Sequence, residues 1–181
     1  MPQTSGPPWE DEYVEFVRAR LPALRRLAML LCGDEHRGDD LVQQAITQLY
    51  VSWERARTAT DLAAYARTTL VRVFVDERRR GWARVRLFGA APEPAPVASG
   101  EAAATERLVV RAALARLPRR QQAVLVLRYL DDRPVDEVAT ILSCTPGTVK
   151  SHSARGLAAM RRQLDRTPSR VEGPTVEGRQ S

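Results

Sequence analysis

Apolar residues recur every three or four positions through two long blocks of the chain, residues 12–86 and 106–165. This is the spacing of amphipathic helices that bury one face. In the first block, Pro22 is expected to bend its helix or to start a new one, and Asp61 is expected to cap the last helix. The pattern predicts an all-α protein made of two small helical domains.

The segment between the two blocks has a different composition. Residues 87–105 contain three prolines that alternate with small residues, which removes backbone donors and leaves little apolar surface to bury. We expect a flexible linker there. The two ends of the chain, residues 1–11 and 166–181, share this Pro/Gly-rich character and are expected to be disordered.

The second helix of the first block is expected to have an unusual polar face. It starts after Gly33, with Asp34 or Asp39 as its cap. Its polar positions are Asp40, Gln43, Gln44, Thr47 and Gln48. Amides and hydroxyls can exchange water for specific hydrogen bonds, so this face is predicted to bind a partner.

The second block ends in a short helix at 135–142, a turn at 143–145 and a longer helix at 146–164. This arrangement is that of a helix-turn-helix, whose second helix lies in the major groove of DNA. Thr145 can cap the last helix, and Pro146 loses no hydrogen bond at its first position. The alternative is a helical hairpin with a solvated basic face.

The exposed side of the last helix carries side chains that can read a groove. The expected DNA-binding residues on it are Thr148, Lys150, Ser151, His152, Ala154 and Arg155. Lys150 and Arg155 can donate to guanine, and Ala154 can contact a thymine methyl group. His152 is expected to face outward as a phosphate contact.

Charge and composition narrow the class of partner. Lysine and arginine number 28 against 22 acidic residues, for a net charge of +6, which favours a polyanion such as nucleic acid. No apolar run approaches the roughly 18 residues of a membrane span, and the N-terminus has no export signal, so we expect a cytoplasmic protein without a membrane partner. Cys32 and Cys144 form no CxxC pair and are expected to be buried, so neither a metal nor a cofactor is predicted.

Three segments resemble a known family. The segment LPRRQQAVLVLRYLDDRPVDEVATILSCTPGTVKSHSARGLAAMR resembles region 4, the promoter −35-binding domain, of extracytoplasmic-function (ECF) sigma factors. GDEHRGDDLVQQAITQLYVSW is similar to region 2.2, the polymerase-binding helix, and AYARTTLVRVFVDERRR to the part of region 2 that recognises and opens the −10 element. The resemblance covers roughly residues 12–165 and is greatest to the actinobacterial SigE-like subgroup.

The resemblance implies a function and a division of labour. The first block would bind core RNA polymerase and melt the −10 element, and the second would bind the −35 duplex, so that the chain directs promoter-specific initiation without being an enzyme. Its implied partners are the coiled coil of the polymerase's largest subunit, the polymerase flap and promoter DNA, with room for an anti-sigma protein. The implied polymerase-binding residues are Asp40, Gln43, Gln44, Ile46 and Tyr50. The implied −10 residues are Arg72, Arg78, Arg79 and Arg80, with Asp76 matching the family.

Four positions depart from the family pattern. Gln44 stands where an acid is usual and Arg72 where an asparagine is common. Pro134 replaces a capping serine and Ser143 replaces a glycine in the turn, each at an expected cost of about 1 kcal/mol. The −10 base is expected to be captured within the loop at 54–60, where no residue is singled out.

Two other functions are compatible with parts of the sequence. A free-standing regulator would bind DNA as a dimer, but the amide-rich face at 40–48 lacks the apolar residues of a dimer seam. A metal-dependent hydrolase would use His36 with the acids around it, yet no second histidine lies at ligand spacing. These acids are better explained as a solvated helix start.

Overall fold

The computed structural model describes residues 7–88 and 102–165, with side chains described for 7–77 and 107–165. The N-terminal block contains α1 (Glu10–Cys32), α2 (Glu35–Val51), α3 (Trp53–Ala56) and α4 (Leu62–Phe88). The C-terminal block contains α5 (Ala102–Ala115), α6 (Arg119–Leu125), a π-helical turn (Val126–Leu130), α7 (Val135–Ile141) and α8 (Pro146–Asp165). The predicted all-α fold of two helical domains is confirmed. The disorder and linker expectations for 1–6, 89–101 and 166–181 lie outside the described residues.

The helix ends follow the local signals in the sequence. Asp34 accepts a hydrogen bond from the Arg37 backbone N–H at 2.9 Å at the start of α2, and Asp61 accepts one from Ala64 N–H at 2.9 Å at the start of α4. Gly33 ends α1 in the left-handed region, with φ of +69°, where a side chain would be strained. The capping roles expected for Asp34 and Asp61 are confirmed.

The first helix differs from expectation at both its start and its middle. α1 begins at Glu10, inside the segment expected to be disordered, and Pro22 lies within it without dividing it. A proline removes one backbone hydrogen bond and crowds the preceding turn. Leu21 and Leu24, on either side of that position, pack in or against the same core, and this burial keeps the helix continuous.

The helices that flank the expected linker are longer than predicted. α4 continues to Phe88, past the predicted block limit at 86, and α5 begins at Ala102, before the predicted limit at 106. Both extensions consist of residues with no helix-breaking signal of their own, and Gly81, which precedes the first of them, does not end α4. The turn chemistry is confined to the prolines between them, so helix propensity sets the boundaries.

The N-terminal block packs α1, α2 and α4 around large buried side chains. Trp53 and Phe74 are completely buried, as are Leu31 and Leu70. The ring of Tyr13 meets that of Trp53 edge to face at 5.2 Å, a favoured aromatic geometry. This core fixes the direction in which α2 and α4 present their polar faces.

The C-terminal block contains a π-helical turn that changes which residues are buried. The backbone N–H of Asp131 bonds to the carbonyl of Val126 at 2.9 Å, so one extra residue is inserted into the helical ladder. The apolar spacing of this helix predicts Val124, Leu125, Leu127 and Leu130 in the core, but Leu130 is 48% exposed. For Leu130 the prediction was wrong because the inserted residue rotates the end of the helix away from the position that a regular period would give.

The two blocks share one apolar core. Buried side chains from α1, α2 and α4 form a single cluster with Val124, Leu127, Val138 and Val149 of the C-terminal block. At the junction, the Gln122 side-chain N–H donates to the carbonyl of Leu31 at 2.8 Å. That carbonyl lies in the last turn of α1 and has no partner within its own helix.

Candidate functional site

The polar face of α2 lies open to solvent. Asp40, Gln43 and Gln44 are exposed, and the next turn exposes Thr47 and Gln48 as well. The opposite side of α2 buries Leu41, Val42, Ala45 and Leu49. The helix is therefore held by its apolar side while its amide side is available to a partner.

Two of the expected polymerase-binding residues are held by the protein itself. Ile46 is half-buried against the core, and its carbonyl accepts a hydrogen bond from the Tyr13 hydroxyl at 2.8 Å. Tyr50 is 37% exposed, and its ring meets those of Trp9 and Tyr13, each at 5.1 Å. Burial, followed by the charge on Tyr50, raises the pKa of Tyr13. Trp9 thus packs on the surface next to the amide face.

The helix-turn-helix has the local geometry expected of it. Ser143 in the turn has φ of +50°, the left-handed conformation for which glycine is the usual residue. Thr145 accepts from the Thr148 backbone N–H at 3.2 Å and caps α8. Pro134 precedes α7 without a side-chain cap. The expected cap at Thr145 is confirmed, and both family departures lie at helix ends.

α8 is anchored along one side and open along the other. Val149, Ser153 and Gly156 are buried, and the α-carbon of Gly156 faces Leu125 so closely that an added methyl group would lie 3.0 Å from its Cδ1. The Tyr129 hydroxyl and Ser153 Oγ are 3.1 Å apart and share a hydrogen bond. These contacts fix the rotation of α8 about its axis.

Most of the expected DNA-binding residues of α8 lie on the open side. Lys150, Ala154 and Arg155 are exposed, and Thr148 and Ser151 are half-buried. They occupy neighbouring positions on one face, because residues separated by three or four lie side by side on a helix. The structure brings this group together as one surface.

The expectation that His152 faces outward was wrong. The residue is only half-exposed, and its Nδ1 atom is buried without a hydrogen-bond partner. It lies three residues after buried Val149 and four before buried Gly156, so it borders the buried side of the helix. Burial, followed by the nearby charges of Arg120 and Arg155, lowers the pKa of His152, which favours a neutral ring over a phosphate-binding cation.

The −10 residues expected on α4 divide into two groups. Arg72 and Asp76 are exposed one turn apart on the helix. Arg72 Nη2 donates to the Ser143 hydroxyl at 2.9 Å, which joins α4 to the helix-turn-helix. Arg78, Arg79 and Arg80 lie within α4, and their side chains are outside the described ones.

The segment at 54–60 is partly helical, although a loop was predicted. α3 occupies its start, and Thr58 Oγ1 bonds to the Arg55 carbonyl at 2.8 Å. The Arg55 guanidinium donates to the Tyr65 hydroxyl at 3.3 Å. Hydrogen bonds from Ser52 and Arg55 lower the pKa of Tyr65, so this hydroxyl lies in a polar setting beside the segment.

Three arginines near these surfaces were not singled out from the sequence. Arg67 pairs with Glu137 at 2.8 Å, Arg119 pairs with Glu77 at 3.3 Å, and Arg120 lies near enough to His152 to lower its pKa. The adjacent arginines after Pro118 are a visible signal for a basic helix start next to α8. Nothing local in the sequence indicates that Arg67 reaches the other block.

The two cysteines differ in their surroundings. Cys32 is buried, as expected, and burial raises its pKa to about 11. Cys144, which was also expected to be buried, is half-exposed in the helix-turn-helix turn.

The described side chains contain no cluster of three or more His, Cys, Asp or Glu residues suited to a metal ion. Within the described chain, no helix has the length and apolar character needed to cross a membrane.

Both blocks match family models. Residues 16–84 match sigma-70 region 2, and residues 107–160 match sigma-70, region 4. The region 2 match begins within α1 and extends beyond the −10 segment of α4. The region 4 match runs from α5 through the exposed face of α8. The two matches therefore contain all the surfaces described above.

Curated relatives extend over both blocks. The RNA polymerase sigma-E factor of Streptomyces coelicolor is 32% identical over 156 residues, which cover 84% of this chain and 86% of the relative. The ECF RNA polymerase sigma factor SigL of Mycobacterium tuberculosis is 32% identical over 150 residues, covering 78% of this chain and 82% of the relative.

A solved structure supports the fold. The sigma factor RpoE of Bartonella quintana, in complex with the anti-sigma factor NepR, superposes with a TM-score of 0.69 at 22% identity. The superposition covers 87% of this chain and 99% of that one. Because two family models match in order and relatives at this identity span most of both sequences, the chain belongs to the ECF group of the sigma-70 family of RNA polymerase sigma factors.

Proposed function

We propose that this chain binds core RNA polymerase through the polar face of α2 and reads the promoter through α4 and α8, as a stoichiometric initiation factor without a catalytic role. The observation that carries the proposal is the exposure of three polar faces on helices whose opposite sides are buried. Each face lies on a segment that a sigma-70 family model matches. In this assignment residues 12–86 form region 2, residues 106–165 form region 4, and the segment 87–105 links them.

The polymerase contact is assigned to Asp40, Gln43 and Gln44. They are exposed on successive turns of α2, where one carboxylate and two amides can accept from and donate to a basic partner surface. Gln44 offers no charge, so Asp40 supplies the charge-assisted bond. Ile46 and Tyr50 support this face by packing, with Tyr50 at its edge.

The −35 contact is assigned to the open side of α8. Lys150 and Arg155 are exposed donors on either side of Ala154, a combination that can bind guanine edges and a thymine methyl group in the major groove. Thr148 and Ser151, which are half-buried, are placed to contact bases or phosphates. His152 is assigned no phosphate contact because its Nδ1 atom is buried and its pKa is lowered.

The −10 contact is assigned to Arg72, Asp76 and the arginines at 78–80 of α4. Arg72 adds a positive charge where the family commonly has an asparagine, which favours contact with the DNA backbone over reading of a base. Linking this weak reader to the −35 reader on one polymerase raises the effective concentration of each. Promoter choice would therefore depend on both elements at a matched spacing.

A free-standing dimeric regulator is less well supported. Its N-terminal domain would need an apolar seam, whereas the exposed side of α2 is a row of amides, hydroxyls and a carboxylate. That domain also matches sigma-70 region 2 over residues 16–84. Both observations favour docking on polymerase over self-association.

The proposal is tested by transcription in vitro with purified core polymerase. Libraries of genomic fragments are transcribed with and without the chain, and the start sites are mapped. We expect a set of start sites that appears only when the chain is present and that shares two elements at fixed spacing. Absence of any such start site, together with no capture of core polymerase at low salt, would contradict the proposal.

A matched pair of variants tests whether the polar face of α2 binds core polymerase. Asp40→Ala should weaken the capture of core polymerase by about tenfold or more, since a charge-assisted bond is lost. Glu15→Ala removes the same charge from an exposed position of α1 and should leave capture unchanged. If both variants weaken capture equally, net charge rather than the α2 face is responsible.

A further inference from the structure

The start of α1 contacts two elements that lie far along the chain. The ring of Trp9, which directly precedes α1, meets that of Tyr50 near the end of α2 at 5.1 Å. Its Nε1 atom donates a hydrogen bond to Glu54 Oε1 in α3 at 3.3 Å. The Glu12 carboxylate pairs with the guanidinium of Arg57, the residue that follows α3. The start of α1 therefore supports α3 near both its ends.

α3 depends on such support because it is only four residues long. A helix of this length is not stable by itself in water, so packing must hold it. Trp53 and Ala56 are completely buried and fix its inner side. The Arg55 guanidinium donates to the Tyr65 hydroxyl of α4 at 3.3 Å. α3 is thus held over the core by contacts from both α1 and α4.

A row of four aromatic rings joins Trp9 to the core at α3. Trp9 and Tyr13 each meet Tyr50 at 5.1 Å, and Tyr13 meets Trp53 at 5.2 Å. All three pairs are edge to face, a geometry that stabilises beyond the area that is buried. Trp53 is the first residue of α3. Loss of the Trp9 ring would therefore loosen one end of a row whose other end is α3 itself.

The rings contribute more than the two polar contacts beside them. The side chains of Arg57 and Glu12 are 42% and 47% exposed, and a pair so exposed to solvent contributes little to stability. The hydrogen bond from Trp9 to Glu54 is also exposed, where water competes for both partners. The ring of Trp9 is thus the main support that the start of α1 gives to α3.

The stretch that follows α3, residues 57–60, is tied to α3 by hydrogen bonds. Thr58 Oγ1 donates to the Arg55 carbonyl at 2.8 Å, and the Ala59 backbone N–H donates to the Ala56 carbonyl at 3.0 Å. Most of this stretch is exposed. Because its bonds lead back to α3, a movement of α3 would move the exposed stretch with it.

We propose that Trp9 is a positioning residue for the capture of an unpaired −10 base, because its ring holds α3 and residues 57–60 in the conformation that receives the base. A flipped base is read by hydrogen bonds and stacking in a close-fitting pocket, which requires fixed walls. This rests on the proposed function and on the expectation that the segment 54–60 captures the base. Trp9 lies before residue 16, where the match to sigma-70 region 2 begins.

Hydrogen exchange of the full chain tests whether Trp9 holds α3. The backbone N–H groups at positions 55, 56, 57 and 59 are bonded to carbonyls between Ser52 and Ala56, so their exchange reports opening of this segment. Trp9→Ala should speed it by about fivefold to tenfold relative to α8. Glu15→Ala changes an exposed residue of α1 and should not alter it. Equal exchange in wild type and Trp9→Ala would overturn the proposal.

Binding of single-stranded DNA tests whether this support serves base capture. Core polymerase saturated with the full chain is given −10 oligonucleotides from the mapped promoters, with one position at a time made abasic. In the wild type, one abasic position should weaken binding by about tenfold. In Trp9→Ala, that ratio of affinities should fall to about threefold or less. A partly unfolded variant would bind both oligonucleotides less and leave the ratio unchanged, so the ratio separates positioning from lost stability.

Three further variants complete the test. Trp9→Phe keeps a ring against Tyr50 but loses the N–H donor, and should keep the wild-type ratio within about twofold. Glu12→Ala should lower the ratio less than Trp9→Ala does, because the pair it breaks is exposed. Glu15→Ala, its matched control, should leave the ratio unchanged.

The outcomes distinguish the positioning role from the proposed function. Equal ratios in wild type and Trp9→Ala, or a ratio lost in Trp9→Phe as fully as in Trp9→Ala, would overturn the role of the ring and leave the proposed function intact. A larger effect of Glu12→Ala than of Trp9→Ala would overturn the assignment to Trp9. If no abasic position weakened binding by the wild type, base capture itself would fail, and the positioning role with it.

Discussion

The two helices assigned to DNA present their reading residues in different ways. α8 is fixed by its own block through Val149, Ser153 and Gly156, and its polar side is open. α4 is fixed by its own block on one side and contacts the other block through Arg67 and Arg72. A DNA-reading face whose contacts all lie within one domain is positioned before any partner binds. A face whose side chains also contact the other domain can change when the two domains move relative to each other.

The largest effect is expected where the two blocks meet. Phe74→Ala removes a completely buried ring, over which the Arg119 guanidinium stacks at 4.2 Å. The substitution should lower the free energy of unfolding by about 3–5 kcal/mol. The measurement is urea denaturation followed by tryptophan fluorescence and by far-ultraviolet circular dichroism. All three tryptophans lie in the first 88 residues, so fluorescence reports the N-terminal block and dichroism reports both.

If the blocks unfold as one unit, the two probes should give coincident transitions that shift together in Phe74→Ala. A shift of the fluorescence transition alone would show that the shared core contributes little. The contrast between α4 and α8 would then concern surface contacts only.

The next effect concerns α8 alone. Lys150→Ala should reduce affinity for a −35 duplex by about 1–3 kcal/mol and relax specificity at one base pair, because a base-edge donor is lost. Arg162→Ala removes an exposed charge from the last turn of the same helix and serves as the control. Fluorescence anisotropy with a duplex from the mapped promoters measures both. Equal losses would indicate that α8 contributes charge without reading bases.

A pair of glycines tests how firmly α8 is held. Gly156→Ala would place a methyl group 3.0 Å from Leu125 Cδ1 and should destabilise the chain by about 1–3 kcal/mol. Gly147→Ala meets only Thr145 Oγ1 at 3.8 Å and should be neutral or slightly stabilising, since alanine is the better helix former. Thermal denaturation compares them. A neutral Gly156→Ala would mean that α8 shifts easily against α6.

Ser143 contributes to both helices, so its substitution separates strain from contact. Ser143→Gly should relieve the strain at φ of +50° and stabilise the chain by about 1 kcal/mol, even though it loses the bond from Arg72. Ser143→Ala loses the same bond and keeps the strain. Urea denaturation should therefore rank glycine above serine and alanine below it. Serine ranked above glycine would mean that the hydroxyl contact outweighs the strain.

The smallest effect is expected at His152. Its lowered pKa keeps the ring neutral at pH 7.5, so His152→Gln should change −35 affinity by less than about twofold and leave its salt dependence unaltered. As the pH falls below the ordinary value of 6.5, the unfolded chain gains a proton before the folded one. Stability is therefore lost on acidification.

The same variant gives a test of that pH dependence. Between pH 7.5 and 5.5, His152→Gln should lose less stability than the wild type in urea denaturation. An equal loss in both proteins would place the responsible group elsewhere.

The features that the sequence predicted correctly depend on near neighbours. Asp34, Asp61 and Thr145 cap helices because a short polar side chain meets a backbone N–H three residues later. The open side of α8 follows from the helical period alone. The roles of the exposed residues remain predictions, since they depend on the resemblance rather than on geometry.

The features that the sequence did not predict depend on distant contacts or on a changed helical period. Leu130 is exposed because the π-helical turn inserts a residue that no local signal announces. Trp9 packs onto the folded domain because its ring contacts that of Tyr50, which lies 41 positions later in the chain. Arg67 and Glu137, 70 positions apart, form a pair that only the packing of the two blocks creates.

Lys150 is the only lysine of the chain, and it lies exposed on α8. Amine-reactive reagents therefore have just two targets, this side chain and the chain's α-amino group. Acylation at Lys150, followed by mass spectrometry, reports whether the face of α8 proposed to bind the major groove is occupied. The protein therefore carries one side-chain amine as a footprinting probe, placed on this face.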